Sequence, residues 1–243
     1  MTSLAAAYAR WRASRLGRIT DAIEHREMLR RCSPIAGRKV LDVGCGDGAF
    51  SIIIAMAGGV VTGVDIDEEM LNAAKANAAN KGASVTFTSA DTRALPFQDA
   101  VFDVVAAMSM LCLVRDRETA LAEMARVLKP GGRLVVGELG ARSLWNILRR
   151  IRGLMGARPW QEAHFFTPED LRSMLRRAGL RPTAVTGAIY YPPHSFVADL
   201  MSPLDSLFAR IGTFGAAFLV AAGDRPVQTE EIPERGKVER AFP

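Results

Sequence analysis

Apolar and polar positions alternate in blocks along the first 140 residues, and these blocks predict strands and helices in turn. Short apolar runs rich in β-branched residues indicate buried strands at 38–43, 59–65, 84–91, 101–110 and 133–139. The segments between them predict helices at 48–57, 67–82 and 117–132, the last one stopped by Pro130. Strands that alternate with helices predict a doubly wound parallel sheet with right-handed crossovers.

The pattern changes after residue 140. Residues 141–160 predict one basic amphipathic helix, and 167–180 predict a helix that Thr167 can cap. Two more apolar runs predict closing strands at 181–191 and 214–223, and an apolar insert, 192–213, lies between them. The last twenty residues are polar, and we expect them to be frayed.

Composition places the chain among globular proteins with a single sizeable core. It has 243 residues, of which 49% are hydrophobic and 23% are charged, and no apolar run has the ~18 residues of a membrane span. The first residues lack the order of a signal peptide, because the basic positions follow the apolar stretch. We therefore expect a cytoplasmic protein.

Cysteine and histidine are few and scattered. The three cysteines form neither a metal spacing nor an even disulfide set, and the three histidines are equally dispersed. We expect a reducing environment and no metal site. The lone Cys112 is interpreted as a small buried apolar residue outside the chemistry.

Charge is distributed unevenly along the chain. Residues 1–39 and 141–182 each hold 9 basic and 3 acidic residues, whereas 40–140 hold 8 basic and 13 acidic ones. An acidic central unit is therefore flanked by two basic segments. The arginines of both basic segments are accompanied by apolar and aromatic residues: Tyr8, Trp11, Leu16, Trp145, Leu148, Trp160, Phe165 and Phe166.

The stretch VLDVGCGDG at 40–48 combines an apolar strand with glycines at every second position, Gly44, Gly46 and Gly48. Glycine tolerates positive φ and lets a ligand approach the main chain, at a cost in folding entropy. Three glycines in five residues at the end of a strand predict a ligand-binding loop, although a plain strand-to-helix turn is the alternative.

Two cofactors compete for this loop. The spacing Gly44-x-Gly46-x-x-Ala49, with Asp65 about twenty residues further on, also fits the dinucleotide fingerprint of NAD enzymes. A pyrophosphate requires amides without nearby carboxylates, and here the strand ends carry several: Asp42, Asp47, Asp65, Asp67, Glu68 and Asp91. S-adenosylmethionine has a sulfonium, an ammonium and a ribose diol, so the acidic set favours it.

In residues 40–136 the chain resembles the class I S-adenosylmethionine-dependent methyltransferases, in particular their ubiquinone/menaquinone-type small-molecule group. Five motifs carry the resemblance in order: VLDVGCGDG (40–48), VTGVDIDEEML (61–71), SADTRALPF (89–97), FDVVAAMSMLCLV (102–114) and LAEMARVLKPGGRLVV (121–136). The resemblance implies a Rossmann-like sheet of seven strands, mostly parallel with an antiparallel last strand, plus helical lid elements. It also implies that S-adenosylmethionine is the methyl donor and S-adenosylhomocysteine the product.

The resemblance implies a set of cofactor-binding residues: Asp42, Gly44, Cys45, Gly46, Gly48, Asp65, Ile66, Met70, Asp91, Thr92, Ala107 and Met108. In this set Asp42 and the glycine backbone frame the methionine moiety, and Asp65 accepts both ribose hydroxyls. Ile66 lies against the adenine, whose amino group Asp91 accepts and whose ring accepts from the Thr92 amide. Asp67 and Asp91 could instead be plain helix or turn caps.

No residue type or spacing identifies a catalytic base. Methyl transfer from a sulfonium is an in-line displacement with a neutral leaving group, so a base is needed only if the acceptor must lose a proton. The weak candidates are His164, His194, Tyr190 and Tyr191, with Glu138 as a further one. Each has a structural alternative, as strand packing for the tyrosines and as surface residues for the histidines.

Five segments are predicted within one structural domain: a basic helical lid (1–37), a cofactor-binding core (38–140), a basic amphipathic lid (141–166), a closing helix with strands (167–223) and a polar tail (224–243). The resemblance implies that both lids cover the acceptor pocket. We expect a small apolar or aromatic acceptor that is anionic or is held at an anionic membrane surface.

Two other functions remain open from the sequence alone. A basic protein could methylate RNA or another nucleic acid, yet no appended nucleic-acid-binding module or base-methyltransferase motif is found. A non-catalytic subunit that only binds the cofactor is the other alternative. The atom that is methylated and the oligomeric state are not determined by the sequence.

Overall fold

Seven strands form one mixed sheet at the centre of the structure, a computed structural model that describes residues 4–227. The strands are β1 (Lys39–Val43), β2 (Val60–Asp65), β3 (Val85–Ser89), β4 (Phe102–Met108), β5 (Leu128–Leu139), β6 (Arg181–Ala188) and β7 (Phe218–Asp224). Their order across the sheet is β3-β2-β1-β4-β5-β7-β6. Only β7 runs antiparallel to its neighbours, which confirms the predicted Rossmann-like sheet with an antiparallel last strand.

Helices cover both faces of this sheet. They are α1 (Leu4–Ala13), α2 (Arg15–Cys32), α3 (Ala49–Met56), α4 (Glu68–Lys81), α5 (Arg117–Val127), α6 (Leu144–Leu154), α7 (Arg158–Glu162), α8 (Pro168–Arg177), α9 (Ser195–Met201) and α10 (Asp205–Ile211). No helix within residues 4–227 is long and apolar enough to cross a membrane.

Alternate strand residues belong to two apolar cores, one on each face of the sheet, because successive side chains of a strand point to opposite sides. Leu41 packs with Leu121 of α5 in one core, together with residues of α8. Val40 packs with Met28 of α2 and Ile54 of α3 in the other. The sheet is therefore buried between two helical layers, and its strand ends are left to form a site.

The predicted helix at 117–132 is wrong at its end. The helix α5 stops at Val127, and β5 begins at Leu128, before the Pro130 that was expected to stop the helix. Pairing with β4 skips from Leu128 to Arg133, so the exposed Pro130 lies in a bulge outside the ladder. Proline lacks an amide donor and is tolerated in strands at such bulges.

The predicted single helix at 141–160 is two helices, α6 and α7. Gly156 lies between them with φ +93°, a backbone conformation that ends helices and favours glycine. The insert 192–213 is likewise helical and contains α9, a 3₁₀ turn and α10. The last strand extends to Asp224, and residues 228–243 of the predicted polar tail lie outside the described residues.

Candidate active site

The carboxyl ends of β1 and β4 lie side by side where the strand order reverses. Because β1 has β2 on one side and β4 on the other, the loops that follow β1 and β4 open into one crevice. Ligands of doubly wound sheets bind in such a crevice. The residues predicted to bind a cofactor come from these two loops and from the ends of β2 and β3.

The loop after β1 bends through three left-handed glycines. Gly44, Gly46 and Gly48 have φ values of +69°, +54° and +79°, and the Gly44 amide donates to the Val64 carbonyl at 2.8 Å. A Cβ on Gly48 would lie 2.9 Å from Ala74 of α4, whereas a Cβ on Gly46 would meet nothing within 4 Å. Gly48 is therefore required for helix packing, and Gly46 leaves bare backbone facing open space.

The Asp65 carboxylate is fixed beside this open backbone. Its oxygens accept from the Gly46 amide at 2.8 Å and from the Asp67 amide at 3.0 Å. The next side chain, Ile66, is 67% exposed, while Met70 is buried. A preorganised carboxylate with free lone pairs and an exposed apolar neighbour can bind a diol next to a flat ring.

Asp42 is buried near the carboxyl end of β1. It is 2% exposed and accepts a hydrogen bond from the Ser51 hydroxyl at 2.6 Å. Burial raises the pKa of Asp42 to about 6, and the charge of Asp65 adds to the increase. The buried Cys45 thiol has a raised pKa for the same reason, since burial and the Asp42 charge both oppose its ionisation.

The end of β3 carries the predicted adenine contacts. Asp91 accepts from the Arg93 amide at 2.9 Å and from the Arg93 guanidinium at 2.6 Å, which lowers the pKa of Asp91 to about 2. Thr92 is half-buried between them. The adjoining Ala90 amide donates to the Asp65 carbonyl at 3.0 Å, so the ends of β2 and β3 are joined.

The loop after β4 completes the crevice. Ala107 is buried and Met108 is half-buried at the end of the strand. The next residue, Ser109, has φ +52°, and its amide donates to the Gly137 carbonyl of β5 at 2.7 Å. A positive φ in a residue other than glycine is uncommon and marks a sharp, well-defined turn.

The carboxylate of Glu138 fixes the rest of this loop. Its fully buried carboxylate accepts from the amides of Leu111 at 2.8 Å and Cys112 at 3.1 Å, and burial raises its pKa to about 7. The Cys112 thiol is buried and lies 3.2 Å from the Ser109 carbonyl, and its pKa is raised by burial and by Glu138. The sequence suggested Glu138 as a base, whereas its contacts give it a positioning role.

The N-terminal helix α1 is tied to the glycine loop by an arginine that sequence reasoning missed. The Arg12 guanidinium donates to the Asp47 carboxylate and also lies 3.4 Å from Asp21 of α2. The Tyr8 ring is 5.7 Å from the same guanidinium. The only signal in the sequence is the surplus of basic residues in 1–39 beside an acidic loop.

The three tryptophans of the chain lie together in what we call the tryptophan cluster: Trp145 and Trp160 contact Arg149, and Trp11 contacts Trp145. Trp160 also packs against the apolar core that contains Leu111 and Cys112 of the loop after β4. The Arg149 guanidinium lies 5.0 Å from the ring centres of both Trp145 and Trp160. Trp11 meets Trp145 edge-on at 6.1 Å, and the Trp145 indole donates to the Tyr191 carbonyl at 2.7 Å.

A second titratable group of α2, Glu24, lies near this cluster and was also missed. Burial raises the pKa of Glu24 to about 8, and the charge of Asp21 adds to the increase, while Arg149 and Arg12 oppose it. Neither Glu24 nor Arg149 could be found from sequence, because their meeting depends on how α2 and α6 pack, which no spacing encodes.

Two of the four candidate bases, the tyrosines, form hydrogen bonds elsewhere in the structure. The Tyr191 hydroxyl shares a hydrogen bond with Thr20 at 3.2 Å, and the Tyr190 hydroxyl donates to the Gly212 carbonyl at 2.5 Å. Both contacts hold the C-terminal strands and inserted helices in place. His194 is exposed and starts α9.

His164 is the candidate whose backbone is bound to the loop after β4, and its side chain is exposed. Its amide donates to the Cys112 carbonyl at 2.8 Å, and its ring packs against Phe166 with 4.6 Å between ring centres. Partial burial lowers the pKa of His164, and the Arg117 charge lowers it further. The imidazole is therefore neutral at pH 7 and can accept a proton.

Comparison with known proteins decides the family. The methyltransferase domain family matches residues 41–136. A ubiquinone biosynthesis O-methyltransferase from Thiobacillus denitrificans is 35% identical over 167 residues, which cover 66% of this chain and 72% of that protein. The chain belongs to the class I S-adenosylmethionine-dependent methyltransferases, in their ubiquinone/menaquinone-type small-molecule group. A second such O-methyltransferase, from Idiomarina loihiensis, is 34% identical to this methyltransferase over 171 residues, 66% of this chain and 69% of that protein.

Solved structures agree on the fold of this methyltransferase. An S-adenosylmethionine-dependent methyltransferase from Thermotoga maritima matches 90% of this chain and 94% of its own, with a TM-score of 0.70 and 22% identity. The magnesium protoporphyrin IX methyltransferase from Synechocystis, solved with bound S-adenosylhomocysteine, matches 93% of this chain and 89% of its own, with a TM-score of 0.61 and 20% identity.

The protein is therefore an enzyme that uses S-adenosylmethionine as the methyl donor. The predictions of fold, enzyme class and donor are confirmed, and NAD is set aside. Nucleic-acid methylation is not favoured by the relatives, which are named for a small-molecule pathway.

Proposed function

We propose that this methyltransferase O-methylates a phenolic hydroxyl of a small aromatic acceptor of the quinone-precursor kind, presented at an anionic membrane surface. The observation that carries the proposal is the tryptophan cluster, whose member Trp160 packs against the core that includes Leu111 and Cys112 of the loop after β4. This loop borders the crevice in which the acceptor must meet the methyl group. Flat aromatic side chains around the transfer site suit an aromatic ring. The relatives named as ubiquinone biosynthesis O-methyltransferases support a hydroxyl as the methylated group.

For the donor, we propose the set of residues that the sequence predicted. Asp65 accepts the two ribose hydroxyls, and the open face of Gly46 lies against the methionine moiety; the carboxylate held at 2.8 Å by the Gly46 amide supports both roles. Ile66 and Met70 border the adenine. Asp91 keeps lone pairs for the adenine amino group, because a carboxylate has about four acceptor sites and Arg93 does not use them all.

The residues around the crevice contribute to catalysis by aligning the acceptor with the methyl group and by excluding water. When bound, the cofactor supplies a methyl group on a positively charged sulfur that leaves as a neutral thioether. Glu138 fixes the loop after β4 on one side of the line of attack. On the other side, the contact of Arg12 with Asp47 holds α1 over the glycine loop. We propose that segments 1–37 and 141–166 act as the two lids of this site.

A phenolic acceptor must lose a proton, and we propose His164 as the general base. The hydrogen bond from the His164 backbone amide to the Cys112 carbonyl ties this residue to the loop after β4, and this position and the lowered pKa of the imidazole support the choice. A positioned base contributes about 10²–10⁴-fold to such reactions.

Two exposed apolar surfaces support peripheral contact with a membrane. The first, the α6 face, comprises Leu144, Ile147, Leu148, Ile151, Leu154 and Met155. The second, the insert face, comprises Phe196, Leu200, Leu204, Leu207, Ile211 and Phe214. Exposed arginines border both faces, as at Arg152 and Arg210. Apolar side chains flanked by basic ones are typical of segments that lie in a bilayer interface.

The proposal is tested by supplying S-adenosylmethionine with an isotope-labelled methyl group and a catechol as the acceptor. We expect the label on a ring oxygen, as read by NMR, and no product from the acceptor whose hydroxyls are already methylated. His164→Ala should lower kcat by ten-fold or more, while the exposed His194→Ala should leave it unchanged. Label on carbon or nitrogen alone, or no transfer to any phenol, would overturn the proposal.

A further inference from the structure

Arg149 is a guanidinium clamped between two indole rings. Its central carbon lies 5.0 Å from the ring centres of Trp145 and Trp160, and Trp145 is itself braced by Trp11. Cation–π contacts on both sides hold the charge in one orientation. A side chain fixed in this way loses little conformational entropy when its remaining donors bind a ligand.

The charge of Arg149 has no anionic partner in the part of the chain that the structure describes. No carboxylate of residues 4–227 forms an ion pair with it, and its Nη1 atom is buried without a hydrogen-bond partner. Burial lowers the pKa of Arg149, with the Glu24 charge opposing the decrease. A buried donor that is left unsatisfied costs about 1–3 kcal/mol, and more when it is charged.

The neighbouring carboxyl group does not neutralise this cation at neutral pH. The pKa of Glu24 is raised to about 8 by burial, so its side chain is mostly protonated at pH 7. Tyr8, Cys112 and Arg152 also act electrostatically on Arg149; the first two ionise only at alkaline pH, and Arg152 is itself positive. The local charge is therefore positive and has no ionised acid beside it.

This charge lies where an acceptor would be bound. Cys112 belongs to the loop after β4, at the reversal point of the sheet, and Arg149 and Cys112 interact electrostatically. The indole rings that clamp Arg149 are the aromatic surface that the proposed phenolic acceptor would use. A ligand that fits both features has an aromatic ring and an anionic substituent on it.

We propose that Arg149 is a specificity-determining residue that binds a carboxylate carried by the aromatic acceptor. This inference rests on the proposed function, because it assumes that the acceptor lies against the tryptophan cluster. A carboxylate suits a guanidinium, whose planar donors match its two oxygens, and hydrogen bonds between charged groups are about twice as strong as neutral ones. The enzyme then prefers a phenolic acid over the same phenol without the acid.

The test uses tryptophan fluorescence, because two of the three tryptophans contact Arg149 and the third contacts Trp145. The full-length enzyme with saturating S-adenosylhomocysteine is titrated with protocatechuate, a catechol carboxylate, and with its uncharged methyl ester. We expect Arg149→Met to weaken the binding of protocatechuate by about tenfold or more and to leave the ester unchanged. Arg149→Lys should give an intermediate loss, because a charge without the planar fork is retained.

Arg176→Met is the matched control, since Arg176 is exposed on α8, does not act on Arg149 and should not affect either ligand. Thermal unfolding identifies a variant that has lost its fold, and Arg149→Lys then decides. Equal weakening of both ligands, or no weakening of protocatechuate, would show that Arg149 only braces the indole rings and would overturn the inference. Absence of protocatechuate binding to the unaltered enzyme would overturn it as well.

Failure of the proposed function gives a different result. Binding of protocatechuate that depends on Arg149, without methyl transfer to any phenol, would support the carboxylate site and reject phenolic O-methylation. Methyl transfer to protocatechuate that is insensitive to Arg149→Met would support the function and reject the site.

Discussion

Glu138 shows how a single buried carboxyl group shapes the transfer site. It lies at the end of β5 and accepts two amides of the loop after β4, so it sets where Leu111 and Cys112 lie. Its pKa is raised to about 7 by burial, from 4.5 for an unperturbed carboxyl. Between these two pKa values the native state keeps a proton on Glu138 that the unfolded state has already lost. The contribution of this proton to the free energy of unfolding is therefore lost as the pH rises through about 7.

We predict that Glu138→Gln destabilises the protein by about 1–3 kcal/mol at neutral pH, because a side-chain amide offers one oxygen where two amides need acceptors. The variant should also lose part of the decrease in stability that the unaltered protein shows between pH 5 and pH 8. Urea unfolding at several pH values measures both effects. The exposed Glu162→Gln is the control and should keep the original pH dependence. An unchanged pH dependence in Glu138→Gln would contradict the assignment.

Residues of this kind mark the limit of what the sequence could predict about the site. Asp65 and Gly46 could be predicted, because a glycine loop at the end of an apolar strand and an acid at the end of the next strand are local signals. Arg149 and Glu24 could not, because they meet only through the packing of α2 and α6. The roles of the predicted cofactor residues stay proposals that binding measurements can decide.

At the scale of elements, the loop after β1 is shaped by two different requirements on glycine. Gly48 allows α3 to pack against α4, where a Cβ would come within 2.9 Å of Ala74. Gly46 has no such neighbour, and its left-handed backbone faces open space beside Asp65. We propose that the cofactor occupies that open space.

We predict that Gly46→Ala weakens the binding of S-adenosylhomocysteine by tenfold or more, while the protein stays folded. Gly37→Ala is the matched control, because Gly37 also has a positive φ and open space around its Cβ position. It lies before β1, at the amino ends of the strands and not at the carboxyl ends where the cofactor is proposed to bind. Both changes should cost about 1–2 kcal/mol of stability through the left-handed conformation alone. Equal affinity in the two variants would contradict the role of Gly46.

The elements that sequence predicted well are those with a regular apolar pattern. All seven strands were expected close to where they occur, since buried parallel strands are continuous apolar runs. The errors fall where backbone conformation decides the boundary. The bulge around Pro130 lets β5 begin early, and the left-handed Gly156 divides α6 from α7. Such features depend on tertiary pairing and leave little trace in hydrophobic periodicity.

At the scale of the molecule, apolar surface and positive charge occur together. The α6 face and the insert face both present large exposed side chains, and segments 1–39 and 141–182 hold 9 basic against 3 acidic residues each. We propose that the acidic central unit binds the cationic donor, and that exposed arginines of the basic flanks, such as Arg152, face the anionic surface. This distribution suits an enzyme that takes its acceptor from an anionic interface.

We predict that the protein sediments with vesicles of anionic phospholipid at low salt and is released at high salt, because exposed charges are screened. Replacing Leu154 and Met155, which are 89% and 81% exposed, by glutamate should abolish sedimentation without affecting the fold. Met56→Glu is the control, because Met56 is 70% exposed at the end of α3 and belongs to neither face. Sedimentation unaffected by the double change would contradict the membrane surface.

The proposed function requires the donor to bind between the glycine loop and Asp65. Calorimetric titration of the purified protein with S-adenosylhomocysteine, repeated with Asp65→Ala and with NAD, tests this most directly. We predict binding in the micromolar range, a loss of tenfold or more in Asp65→Ala and no binding of NAD. Full affinity in a folded Asp65→Ala variant would contradict the proposed site, and a preference for NAD would contradict the assignment of the donor.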